Sequence, residues 1–148
     1  MKFSIAVNME RCDPSQDMRE VARNALELVQ LAEQGGFEIA WAAEHHTIEI
    51  TIGPNPFTIL THWAAHTSRI RLGTAVVVAP YWHPVRVAGE AALFDIFSEG
   101  RLEFGIGPRR LPVRIRPHGR RSRTAGRRTP YARDAAGGAR AVARRHRA

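Results

Sequence analysis

Cysteine is nearly absent from this 148-residue sequence. Cys12 stands alone, which excludes an internal disulfide and any cysteine-based zinc site. No apolar run approaches the ~18 residues of a membrane-spanning helix, and the N-terminus lacks the pattern of a signal peptide. A reducing, cytoplasmic setting with no membrane partner is the expectation. The G-x-G-x-x-G fingerprint is missing after the first apolar run, which lowers a dinucleotide-binding reading. Lysine is missing from residues 108–148, as is any run of Leu, Ile or Phe, and Asp134 is the only acid there.

Those last absences mark a seam between Gly107 and Pro108. Residues 1–107 carry 8 Lys or Arg against 13 Asp or Glu, a net charge of −5. Residues 108–148 carry 14 Arg against one acid, a net of +13. The pI near 11.2 therefore describes neither part. Residues 1–107 hold all three Trp (Trp41, Trp63, Trp82) and most large apolar side chains, so they can bury a core. The remainder cannot offset its own ordering entropy. The expectation is a folded unit over 1–107 and a disordered Arg-rich tail over 108–148.

Within the first unit, Lys2–Val7 reads as a strand. Met18, Val21, Ala22, Ala25, Leu28, Val29 and Ala32 recur at helical steps, and Gly35-Gly36 ends that helix. Phe37–Ala43 is a second strand-like run, followed by a polar loop bearing Gly and Pro. Pro56–Ser68 reads as a second helix. Ile70–Ala79 is β-branched and apolar, as in a strand buried on both faces. Pro84–Phe97 is a third helix with Pro84 in its first turn, and Leu102–Gly105 a fourth strand. The alternation predicts an α/β fold with a parallel sheet of four strands, three helices and right-handed crossovers. A doubly wound sheet and a TIM (β/α)8 barrel share this start. A barrel takes about 250 residues and eight strands, so this would be its N-terminal half.

In a barrel, chemistry sits at the C-terminal ends of the strands. Those ends carry Asn8-Met9, Glu44-His45-His46, the stretch Thr74–Trp82 with His83, and Gly105-Ile106-Gly107. Two imidazoles beside a carboxylate can supply a base near neutral pH. Adjacent residues point different ways, so one histidine at most is expected to face a pocket. The plainer reading makes His45 and His46 ordinary loop or packing residues. A metal site lacks an evident third ligand, since His62, His66 and His83 lie on other elements.

Six motifs in order carry a resemblance: M-K-F-S from Met1, A-E-H-H from Ala43, G-P-N-P from Gly53, R-L-G-T-A-V-V-V from Arg71, H-P-V-R from His83, and D-I-F-S-E-G-R-L-E-F-G-I-G from Asp95 to Gly107. The series resembles the N-terminal part of the bacterial luciferase-like family of flavin-dependent monooxygenases. The resemblance implies a TIM-type barrel that binds reduced FMN at its strand ends. There, with O2, it oxidises an aldehyde or another small organic substrate. It implies a separate flavin reductase as partner and a dimeric parent protein. His45 matches the family's catalytic histidine and Glu44 an acidic residue close to the flavin. Ala75 and Val76 match the backbone packed against the isoalloxazine ring, where luciferases have a non-proline cis peptide. His83 and Arg86 read as the start of a helix, and Asp95, Gly100 and Arg101 as turn and packing residues. A hydride-transferring relative on the same fold, using F420, is the nearest alternative.

The family pattern continues after F-G-I-G with Arg-Gly, whose Arg contacts the flavin phosphate, a role suited to a fixed guanidinium. Pro108 stands there instead. A tail of Arg alone could be a nucleic-acid-binding arm. It has only Tyr131 for base stacking, however, and no Lys. Arg, Ala, Gly and Pro are also what an out-of-frame GC-rich message encodes. Taking the last two bases of each codon with the first of the next, Pro108–Gly119 permits R-G-A-Y-R-Y-E-F-D-R-M-G, which restores the missing Arg-Gly. Tyr131–Val142 permits M-R-E-M-L-L-E-V-x-A-L-W, an amphipathic helix. The expectation is a one-nucleotide frameshift near Gly107. It leaves a truncated, inactive fragment with no specific nucleic-acid partner.

Overall fold

The computed structural model describes residues 1–48 and 50–108. The expected tail lies, from residue 109 on, outside the described residues. Four strands form one parallel sheet: β1 (Ser4–Ala6), β2 (Ile39–Ala42), β5 (Arg71–Thr74) and β7 (Leu102–Glu103), hydrogen-bonded in the order β1-β2-β5-β7. Each strand lies beside its predecessor, with Ile5 opposite Ala40, Ala40 opposite Leu72 and Leu72 opposite Leu102. A doubly wound sheet reverses its strand order at a switch point. Among the described strands no reversal occurs, which is the progression of a (β/α)8 barrel.

Three helices cover one face. Helix α1 (Met18–Gln34) starts at Asp17, whose side chain accepts from the Arg19 N–H, and buries Val21, Ala25, Val29 and Ala32. Leu28, expected on that face, is about half exposed. Gly36 ends the helix in the left-handed region at φ +77°, where glycine carries no steric penalty. Helix α2 (Pro56–Ala64) starts at Asn55 and α3 (Pro84–Phe97) at His83. Phe57, Leu60 and Trp63 of α2 and Val87, Ala91 and Phe94 of α3 join Ala40, Ala42 and Leu72 in one core.

The structure trims the expected first, second and fourth strands to β1, β2 and β7, and departs further from expectation at three other places. The loop after β2 is a hairpin of β3 (His45–Ile48) and β4 (Thr51–Gly53), paired antiparallel with an irregular register. Its signal is the β-branched run from Thr47 to Ile52, which the flanking Gly and Pro obscure. The long apolar run from Ile70 breaks after β5 at a cis peptide between Ala75 and Val76. It resumes as β6 (Val77–Val78), which pairs with β8 (Ile106–Gly107).

Helix α2 stops four residues early because a side chain from α1 captures the segment beyond it. Glu33 Oε1, from the last turn of α1, accepts the backbone N–H groups of Ser68, Arg69 and Ile70 at 2.9, 2.6 and 3.0 Å. Partial burial pushes the Glu33 carboxyl up, but the three N–H donors and the Arg69 charge outweigh it and hold it below the usual value. Arg101 finishes the same corner. Its guanidinium donates to the carbonyls of Ala64, Ile70 and Ser98 and to the Thr67 hydroxyl, closing the C-terminal ends of α2 and α3.

β5 and the segment after β7 meet at Gly105. The Thr74 hydroxyl donates to the Gly105 carbonyl at 2.7 Å and accepts the Gly105 N–H at 2.9 Å. A Cβ on Gly105 would run into the Thr74 carbonyl oxygen. Gly105→Ala is expected to destabilise the fold by about 1–3 kcal/mol, read from urea unfolding, as overpacking does. Because the folded-state value of Glu33 is depressed, its stabilisation is complete above the ordinary carboxylate value. It fades as pH falls through the lowered one. Glu33→Gln should flatten that acid-side part of a stability-versus-pH curve and leave its slope near neutrality unchanged.

Candidate active site

The C-terminal ends of β2 and β5 are joined by one carboxylate. Glu44 follows β2, and its side chain is fully buried. Its Oε2 accepts the Val78 backbone N–H and the Trp82 indole N–H, both at 2.8 Å. Its Oε1 lies 2.5 Å from His46 Nε2. A carboxylate out of water requires such partners, and here three groups supply them. The His46 ring stands edge-on to Tyr81 at 4.7 Å. Tyr81 and Trp82 lie in and just after a single 3-10 turn, Ala79–Tyr81. Trp82 meets Phe57 edge-on at 5.8 Å, and Phe57 stacks on Phe104 at 6.2 Å. The site is thereby tied to the aromatic part of the core.

Beside this network lies a cavity of about 470 Å³, lined by Arg11, Met18, His45, His46, Ile48, Thr51, Ile52 and Pro54. Both imidazoles line it, where one was expected. The pairing of β3 with β4 shifts register between His45 and Ile48, so simple alternation along the strand does not hold. The segment after β1 closes a wall. Arg11 N–H donates to the Ile50 carbonyl and Ile52 N–H to the Met9 carbonyl, at 2.8 and 3.0 Å. The Thr51 hydroxyl is buried with no hydrogen-bond partner among the described residues.

Of the four residues singled out from the sequence, Glu44 and His45 stand together at the end of β2, and His46 joins them. Ala75 and Val76 lie on the adjacent strand end, held by the Ala75 N–H on the Ala42 carbonyl at 2.8 Å. Both are exposed, joined by a cis peptide, and neither lines the cavity of His45. The Val76 side chain lies above Gly105 and Gly107. Val78 and Trp82 were missed as partners of Glu44, because nothing in spacing links positions 34 and 38 residues apart. His83 caps α3 through Nδ1, and Arg86 pairs with Glu90 one turn on. Among the described residues no group of three or more His, Cys, Asp or Glu is placed to hold a metal ion, and no helix is long and apolar enough to cross a membrane.

The family model described as luciferase-like monooxygenase matches residues 1–141. The chain is 47% identical over 106 residues to the oxygenase component of flavin-dependent trigonelline monooxygenase from Acinetobacter baylyi, covering 72% of this chain and 29% of that protein. Among solved structures it resembles the monooxygenase RslO1 from Streptomyces bottropensis, with a TM-score of 0.65 and 35% identity over 76% of this chain and 34% of the other. It also shares the fold of the oxygenating constituent of 3,6-diketocamphane monooxygenase from Pseudomonas putida, solved in complex with FMN. There the TM-score is 0.66 at 21% identity, over 72% of this chain and 29% of that one. The chain thus spans about a third or less of the length of these relatives.

Replacing Glu44 with Ala removes an acceptor from the Val78 N–H and the Trp82 indole at once. Glu44→Ala is expected to cost about 2–4 kcal/mol. Urea unfolding followed by tryptophan emission checks this, with Trp82 emission altered already in the folded state.

Proposed function

This chain belongs to the luciferase-like monooxygenase family, and from that premise we propose that it holds the flavin-ring side of a monooxygenase site. Reduced FMN would be supplied by a separate reductase, and with O2 it would oxidise a small organic substrate. The observation that carries the reading is a cavity at the strand C-terminal ends lined by His45 and His46, with Glu44 buried behind His46. The residues fit such a group. The exposed Ala75–Val76 backbone, with Val76 above two glycines, offers a flat apolar ledge for a ring. Reduced flavin, when bound, supplies the electrons that activate O2. His45 is the catalytic group in this reading, Ala75 and Val76 are the ledge, and Glu44 lies beneath, engaged with protein donors. A cytoplasmic setting and a dimeric parent accompany the proposal.

The phosphate end is a different matter. Pro108 occupies the position where the family pattern places an Arg, and it offers neither charge nor N–H. We infer a frameshift after Gly107 that removes this Arg and the remaining barrel, leaving residues 1–107 as an inactive fragment. The codon reading supports this, as does an alignment of 106 residues to the trigonelline enzyme. The match to the family model runs on to residue 141, so the nucleotide sequence around codon 107 decides. An intact single frame there would sink the inference.

Loss of a charge-assisted phosphate contact should weaken FMN binding by tenfold or more, about 1.5–3 kcal/mol. Flavin fluorescence titration of this chain against a frame-restored chain checks it. Equal affinity would refute the role assigned to the missing Arg, and tight binding of F420 in place of FMN would favour hydride transfer.

A further inference from the structure

We propose that His46 is an oriented proton acceptor at the cavity wall and that Glu44 is its positioning residue. The proposal rests on the reading of this site as one for flavin and substrate. It goes beyond that reading by giving His46 a role of its own and making Glu44 the group that orients it.

The carboxylate determines which nitrogen carries the proton. Val78 N–H and Trp82 Nε1–H are donors only, so both direct their hydrogens at Glu44 Oε2, at 2.8 Å each. That stabilises negative charge on the carboxylate. The remaining oxygen, Oε1, faces His46 Nε2 at 2.5 Å. A proton between an imidazole and a carboxylate that already accepts two N–H groups resides on the nitrogen, the stronger base. Nε2 is therefore the donor. In a neutral imidazole the other nitrogen is then an acceptor, so Nδ1 presents a lone pair.

His46 lines the cavity and its side chain is one-third exposed, while the Glu44 side chain is fully buried. Glu44 thus has both oxygens occupied and no surface left for a ligand, and it can act only through the ring it holds. Edge contact with Tyr81 at 4.7 Å fixes the ring from a second direction. In the step itself, a ligand O–H or N–H gives its proton to Nδ1 and keeps the bond electrons. The imidazolium that forms is balanced by the Glu44 carboxylate. A base oriented by a third group is a recurrent arrangement for proton abstraction. His45, next in the chain, has no such carboxylate behind it among the described residues.

Long-range 1H–15N spectra of the full chain, labelled at histidine, test this. His46 is assigned by the signal lost in His46→Gln. At pH 8 a single Nε2–H tautomer is expected for His46, mixing with the other form in Glu44→Gln. An Nδ1–H tautomer in the unsubstituted chain overturns the proposal, and so does an unchanged tautomer in Glu44→Gln. The unsubstituted spectrum decides by itself if that variant does not fold. Adding FMN to the same sample separates the two readings. A saturable shift of the His46 Nδ1 signal, absent at His62 and His66, is expected. FMN binding with no shift at His46 overturns the contact with ligand. An Nε2–H tautomer with no FMN binding even in the frame-restored chain upholds the positioning by Glu44 and sinks the flavin reading.

Discussion

A carboxylate buried without partners would be expelled or neutralised, and the arrangement around Glu44 is the answer to that constraint. Its three partners come from three places: a histidine two residues on, a backbone N–H at β6, and an indole beyond the 3-10 turn. To satisfy one charge, the chain must bring the end of β2, the continuation of β5 and the start of α3 to within hydrogen-bonding distance. That convergence sets the site geometry. His46 is oriented, Tyr81 and Trp82 are placed, and Phe57 links the whole to the helices.

The opposite end of the sheet uses the same device with a similar logic. Glu33 gathers three N–H groups ahead of β5, and Arg101 gathers the carbonyls that α2 and α3 leave open. Between these two polar ends lies an apolar core of small strand residues, Ala40 and Ala42, against large helical ones, Phe57, Leu60, Trp63 and Phe94. Small residues on the strands let the helices approach closely, so the apolar layer seats them while the ionic groups fix the loops.

Helices were the most legible elements. The Gly35-Gly36 stop and Pro84 are local signals, and the end of α1 and the start of α3 fall where they indicate. The end of α2 was not legible, because it depends on Glu33, about 35 residues away in the chain. Strands were legible as apolar runs but not in their breaks. Nothing in the run from Ile70 announces that pairing passes from β7 to β8 after Thr74. The hairpin after β2 had a signal in its β-branched residues, overridden by its polar neighbours.

By itself, the sequence determined the alternation of strands and helices, most of the face that α1 buries, the position of the Glu44-His45-His46 cluster at a strand end, and the charge break at Gly107. These depend on periodicity, capping and composition, which are properties of neighbours in the chain. Only the tertiary structure decided that the strand order progresses without reversal, that both histidines line one cavity, and that Glu44 holds His46 while leaving His45 to others. The strand order comes from pairs 30 or more residues apart, and the placing of the two histidines from a local register shift. A buried charge accepts whichever donors the completed fold delivers.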